Sequence, residues 1–243
     1  MSKKIIIANM KTKSNFNDIK KYLKTLDGRI TYSGVIFMPT SLYASYFIEK
    51  GYKVGLQDIF FEKEGSYTGE ILPCQAKSLG IKYVMVGHSE RRIYLSESNQ
   101  TINKKIKNAL EAKMGVVLCV GETKEEKALM ETREAIRRQL FTALKGIDNL
   151  KNLIIAYEPV WAIGSGKIPS KRELAKTVDF IKEFISEIKE GEKVKVLYGG
   201  SVRSKSLPIF NQIENLDGYL IGGASNDAEE FLKIIELCEN IKS

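Results

Sequence analysis

The sequence predicts an α/β protein, a closed (β/α)8 barrel. Three observations carry the prediction. Eight short apolar runs recur along 243 residues, about thirty residues per unit, which suits one strand, one helix and two short loops. Most of the runs are apolar throughout rather than alternating, the pattern of parallel strands covered on both faces. The first run leads into Asn9-Met10-Lys11-Thr12-Lys13, not into the G-x-G-x-x-G turn of an open dinucleotide-binding sheet. Strict alternation of strand and helix leaves those two architectures as the main choices, and the count of eight favours closure.

The predicted strands are Ile5–Ala8, Val35–Met38, Val54–Leu56, Tyr83–Val86, Val116–Val120, Leu153–Tyr157, Val194–Leu197 and Gly218–Ile221. Between them lie helical patterns. Ser14–Leu26 opens on an N-cap candidate, Ser14, and sets Phe16, Ile19, Tyr22 and Leu23 at helical spacing. Asn99–Ala112 does the same with Ile102, Ile106, Ala109 and Leu110. Glu125–Leu144, Arg172–Ile188 and Asn226–Ile241 are the longest predicted helices, with Ser225-Asn226-Asp227 as the start signal of the last. No low-complexity linker divides the units, so a single domain over residues 1–243 is expected.

Composition narrows the function. Apolar residues make up 43% and charged residues 28%, an ordinary globular balance. No apolar run approaches the ~18 residues of a membrane span, and Ile5–Ile7 is too short for a signal-peptide core, so a cytoplasmic protein with no membrane partner is expected. One histidine excludes histidine-rich metal sites, and no metal is expected. The three cysteines are widely spaced with no CxxC pair, as three small buried hydrophobes in a reducing compartment would be. The net charge of +8 is interleaved with carboxylates and brings neither a stacking platform nor a basic helix, which argues against nucleic acid as partner.

In such a barrel the residues just past each strand gather on one face, where active sites form. Here they are Asn9 and Lys11, Gln57, His88, Gly121-Glu122, Glu158, Gly199-Gly200-Ser201 and Gly222-Gly223. Taken singly, each has a plain alternative. Glu158 is a loop cap or a general base; His88 is structural or a proton shuttle; Lys11 is an exposed cation, an anchor or a nucleophile. Two double-glycine turns at neighbouring strand ends let backbone N–H groups approach an anion. Pro159–Pro169 holds the only tryptophan and internal glycines between two prolines, the make-up of a lid with defined hinges.

Six segments together resemble the triosephosphate isomerase family. They are Asn9-x-Lys11, Gly87-His88-Ser89-Glu90-Arg91-Arg92, Cys119-Val120-Gly121-Glu122, Ala156 to Lys167, Tyr198-Gly199-Gly200-Ser201-Val202 and Gly222-Gly223-Ala224-Ser225, in order and at the expected strand ends. The resemblance implies a TIM barrel that interconverts dihydroxyacetone phosphate and glyceraldehyde 3-phosphate through an enediol, with no metal or organic cofactor. It implies Glu158 as base, neutral His88 as electrophile, Lys11 and Asn9 at the developing oxyanion, and Glu90 orienting Lys11. The phosphate is expected near Gly164, Ser201, Gly222 and Gly223, under a lid from Val160 to Ile168. It also implies a homodimer, with loop 58–72 carrying Thr68 to the partner's Asn9 and Lys11. Sugar-phosphate epimerases and other phosphate-binding barrels lack the lid block. A non-catalytic barrel binding protein would have lost Lys11, His88 or Glu158.

Four places depart from the family pattern. Met10 stands where an aromatic is frequent, and Asp58 where asparagine is usual. Pro169 occupies a lid hinge position that usually offers a free N–H, so a closed-lid bond to Tyr198 is expected to be missing or rerouted. Tyr94–Gln100 is atypical beside a well-matched helix.

Overall fold

The computed structural model describes residues 3–240. Eight strands, β1 (Ile5–Asn9), β2 (Val35–Met38), β3 (Gly55–Leu56), β4 (Tyr83–Val86), β5 (Gly115–Val120), β6 (Leu153–Tyr157), β7 (Lys195–Tyr198) and β8 (Gly218–Ile221), form one parallel sheet. Its order runs β2-β1-β8-β7-β6-β5-β4-β3, and a parallel bridge between Phe37 and Val54 joins the two ends into a barrel. Helices α1 (Phe16–Leu26), α2 (Ala44–Glu49), α3 (Pro73–Ser78), α4 (Ser89–Tyr94) and α5 (Asn99–Glu111) connect the first five strands. The rest are α6 (Lys124–Ala128), α7 (Thr132–Ala143), α8 (Lys171–Ser186), α9 (Leu207–Phe210) and α10 (Ala228–Glu239). Among the described residues no helix is long and apolar enough to cross a membrane.

The uniformly apolar strands serve two cores at once. One set of side chains, including Ile7, Ile36, Met38, Val117, Ala156 and Leu197, fills the barrel interior. The alternate set, including Ile6, Phe37, Val84, Leu118 and Ile155, packs outward against the helices. This is why alternation is absent from the sequence.

The helix limits depart from expectation most at three places, and elsewhere by one or two residues. The predicted Glu125–Leu144 helix is two, because Met130 takes φ +60° and closes α6 in a Schellman turn. There Met130 N–H donates to the Lys127 carbonyl at 3.1 Å and Glu131 N–H to the Glu126 carbonyl at 2.8 Å. Asn15, not Ser14, caps α1 and forms a capping box with Asp18. Asp227 caps α10, after a 3-10 turn at Gly223–Asn226. The predicted end at Ile241 lies outside the described residues.

Candidate active site

The strands' C-terminal ends open onto a cavity of 320 Å³, within the ~300–1,000 Å³ range of small-molecule sites. Asn9, Lys11, His88 and Glu158 line it, and so do Gly164, Ser201, Gly222 and Gly223. Every residue expected to touch substrate therefore meets in one space. Glu90 lies behind, ion-paired to the Lys11 ammonium.

Lys11 has φ +53°, the left-handed region, where a side chain costs about 1–2 kcal/mol. Its neighbours hold it there. The Asn9 side-chain oxygen accepts the Lys11 N–H at 3.2 Å, and Gln57 Nε2 donates to the carbonyls of Lys11 and Met38, both at 2.9 Å. Gln57 thus clamps the loop after β1 from the end of β3. That role was not legible in the sequence, although its strand-end position marked it.

His88 follows Gly87, which turns at φ +70°. Arg92 fixes that turn, donating to the Gly87 carbonyl at 2.7 Å and the Cys119 carbonyl at 3.1 Å. The backbone N–H of Glu90 donates to His88 Nδ1 at 3.3 Å. The neutral ring then carries its proton on Nε2, which faces Glu158 Oε1 at 3.2 Å.

Glu158 is buried, and its other oxygen, Oε2, has no hydrogen-bond partner among the described residues. Space for it depends on two glycines. A Cβ on Gly121 would stand 2.0 Å from the Glu158 carbonyl oxygen, and one on Gly199 would stand 2.7 Å from its Cγ. Burial opposes charge on both partners, but their mutual attraction outweighs it. The Glu158 pKa is held below the usual carboxylate value and the His88 pKa above the usual imidazole value. Burial, and then the Glu158 carboxylate, pushes the nearby Cys119 thiol well up, so it stays protonated.

The segment after β6 is tied down at both ends. Trp161 Nε1 donates to Glu122 Oε1 at 2.7 Å, and Tyr157 Oη donates to the same carboxylate. At the far end Ser170 and Glu173 make the capping box of α8. Ser201 Oγ donates to the Ala162 carbonyl at 2.6 Å, joining this segment to the loop after β7. Glu122 is fully buried; its strand-end position was plain from the pattern of runs, its partners were not. Asp58 makes ion pairs, which an uncharged asparagine could not. It pairs with Lys105 and Arg91, each at 2.7 Å, beside Glu97.

A buried carboxylate facing an imidazole, with a lysine and two glycine turns closing one cavity, defines a barrel enzyme of proton transfer on a phosphorylated substrate. Comparison with known proteins narrows this. The sequence model of the triosephosphate isomerase family matches residues 4–238. The triosephosphate isomerase of Dictyoglomus thermophilum is 40% identical over 97% of this chain and 100% of its own length. That of Malacoplasma penetrans is 39% identical over 98% of this chain and all of its own. That of Alkaliphilus metalliredigens is 43% identical over 75% of this chain and 76% of its own. The chain belongs to the triosephosphate isomerase family and is an isomerase.

Proposed function

We propose that Glu158, His88 and Lys11 interconvert dihydroxyacetone phosphate and D-glyceraldehyde 3-phosphate, the reaction of the family, in glycolysis and gluconeogenesis. The observation that carries the assignment is the buried Glu158–His88 pair, with one carboxylate oxygen left unpartnered. Glu158 takes a proton from the carbon next to the carbonyl and returns it to the neighbouring carbon. The His88 Nε2–H donates to the substrate oxygens and moves protons between them through the enediol. Lys11 and the Asn9 side chain stabilise the developing oxyanion, and Glu90 positions Lys11. Backbone N–H groups near Gly164, Ser201, Gly222 and Gly223 receive the phosphate. Proton transfer beside a carbonyl asks only for base, acid and oxyanion stabilisation, so no cofactor enters.

Substrate seated between His88 and Glu158 separates the pair and weakens the attraction that raises the His88 pKa. Burial then dominates and lowers it, so the imidazole works as a neutral donor. Closure of residues 160–168 keeps water from the enediol. A coupled assay for glyceraldehyde 3-phosphate isomerisation tests the assignment, with Glu158→Asp beside wild type. The variant, whose carboxylate falls short by one methylene, should lose most of its turnover. An inactive wild type would sink the reaction, and a variant as fast as wild type would sink the role of Glu158.

The protein works as a homodimer in the cytoplasm. Support for the dimer is a set of exposed apolar residues, Leu42, Tyr46, Tyr67, Ile93, Tyr94 and Leu95, on loops and helices that follow β2, β3 and β4. Those strands are neighbours around the barrel. A monomer would leave this surface in water, and Thr68 would reach the partner's Asn9 and Lys11. Turnover per chain should therefore collapse on dilution into monomers, and full activity in a demonstrably monomeric sample would refute it.

A further inference from the structure

The cavity lining includes three cations that the reaction does not use: Lys13, Arg203 and Lys205. All three are exposed, which puts them at the cavity mouth. Among the described residues none of them lies within ion-pair distance of a carboxylate, whereas Lys11 is matched by Glu90. The backbone that carries two of them is fixed in advance. Ser206 N–H donates to the Arg203 carbonyl at 3.0 Å, and Arg203 N–H donates to Ser206 Oγ at 3.0 Å. Glu230, the acid bonded to this turn, is engaged by Ser204, whose N–H and hydroxyl donate to it at 2.8 and 3.0 Å. Lys13 sits on the loop after β1, tied to the turn after β8 through Ser14 and Asn226 at 3.4 Å. Uncompensated positive charge at the mouth of a low-dielectric cleft focuses a positive potential there and raises the local concentration of anionic ligands.

We propose that Lys13, Arg203 and Lys205 form a second anion subsite at the mouth of the pocket. It lets the substrate cavity take small diphosphate ligands, one phosphoryl group on the glycine turns and the next on the three cations. Such ligands compete with substrate and bind more tightly than monophosphates of the same size. The inference rests on the placement of the substrate phosphate at Ser201, Gly222 and Gly223.

Calorimetric titration with inorganic phosphate and inorganic pyrophosphate, free of divalent metal, tests it. Pyrophosphate should bind wild type about tenfold more tightly than phosphate, in line with several modest exposed charge contacts acting together. The combined Lys13→Gln, Arg203→Gln, Lys205→Gln protein should lose most of that preference. The charge-preserving Lys13→Arg, Arg203→Lys, Lys205→Arg protein should keep it. The subsite is overturned if pyrophosphate binds wild type no better than phosphate, or if the glutamine protein keeps the preference. Binding is read without turnover, so an enzyme inactive in the coupled assay would sink the isomerase assignment and leave this comparison standing.

Discussion

The two ends of the barrel both bury charge, and they do so differently. At the N-terminal end, Asp217 is saturated. It accepts from Lys182 at 2.8 Å, Lys195 at 3.0 Å and the Val196 N–H at 2.9 Å, while the buried Lys4 ammonium donates to the Leu216 carbonyl. At the C-terminal end, Glu158 keeps one buried oxygen unpartnered, Lys11 holds a left-handed backbone, and a cavity stands open. Buried polar groups are ordinarily satisfied. The base of the barrel obeys that rule and serves stability; the mouth breaks it and leaves valences for a substrate.

The largest test exchanges one group at each end. Glu158→Gln keeps size and burial but removes the base. Turnover should fall by about 10²–10⁴, with the unfolding free energy changed by no more than about 1 kcal/mol. Asp217→Asn should lower stability by about 1–3 kcal/mol, since it strands two lysines that are only partly exposed. Turnover per folded chain should stay at wild type. Chemical denaturation beside the coupled assay reads both, and an Asp217→Asn protein that is stable but slow would break the contrast.

A smaller effect concerns the lid at the mouth. Tyr198 Oη is buried with no partner among the described residues, and Pro169 has no N–H to offer it. Pro169→Ala supplies a donor at that hinge, worth roughly 0.5–1.5 kcal/mol if the bond forms. Lid opening should slow by about two- to tenfold, followed by temperature-jump relaxation of Trp161, the only tryptophan. An unchanged opening rate would remove Pro169 from the account of the lid.

The smallest effect is the pH signature of each end. Burial raises the Glu158 pKa, but attraction to His88 outweighs it and leaves the value below 4.5. Its contribution to stability is therefore present above about pH 4.5 and lost as pH falls through the lower folded value. Glu158→Gln should be flatter in acid than wild type. At the base, burial lowers the Lys4 pKa from 10.5, partly offset by Asp217. Between the lowered value and 10.5 the unfolded chain holds more protons, so the contribution of Lys4 to stability rises with pH. Lys4→Met should lose that rise. Urea midpoints across both pH ranges check the two signs, and parallel wild-type and variant curves would count against them.

Much of this was legible in the residues, and the exceptions have physical causes. The strands were plain because each must be apolar on both faces, and β2, β4, β6 and β8 begin and end where the pattern placed them. The short helices α2, α3, α4 and α9 span four to six residues, too few for a 3.6-residue period to show. The division between α6 and α7 was hidden because Met130, not glycine, takes the left-handed turn. In the site, the residues implied by family resemblance do converge on one cavity. The clamps around them did not announce themselves, because Gln57 reaches the Lys11 carbonyl, Arg92 the Cys119 carbonyl and Glu122 the Trp161 indole, all remote in sequence.

The sequence by itself determined the alternation of eight units and, to within a residue, where each strand ends, because hydrophobic periodicity is a property of the chain alone. Only the tertiary structure decided that Glu158 and His88 stand 3.2 Å apart, that Asp217 is saturated while Glu158 is not, and that Lys13, Arg203 and Lys205 border one cavity with no ion-pair partner among the described residues. Whether a buried charge is satisfied depends on groups that closure of the barrel brings together from distant strands, and no local pattern encodes that meeting.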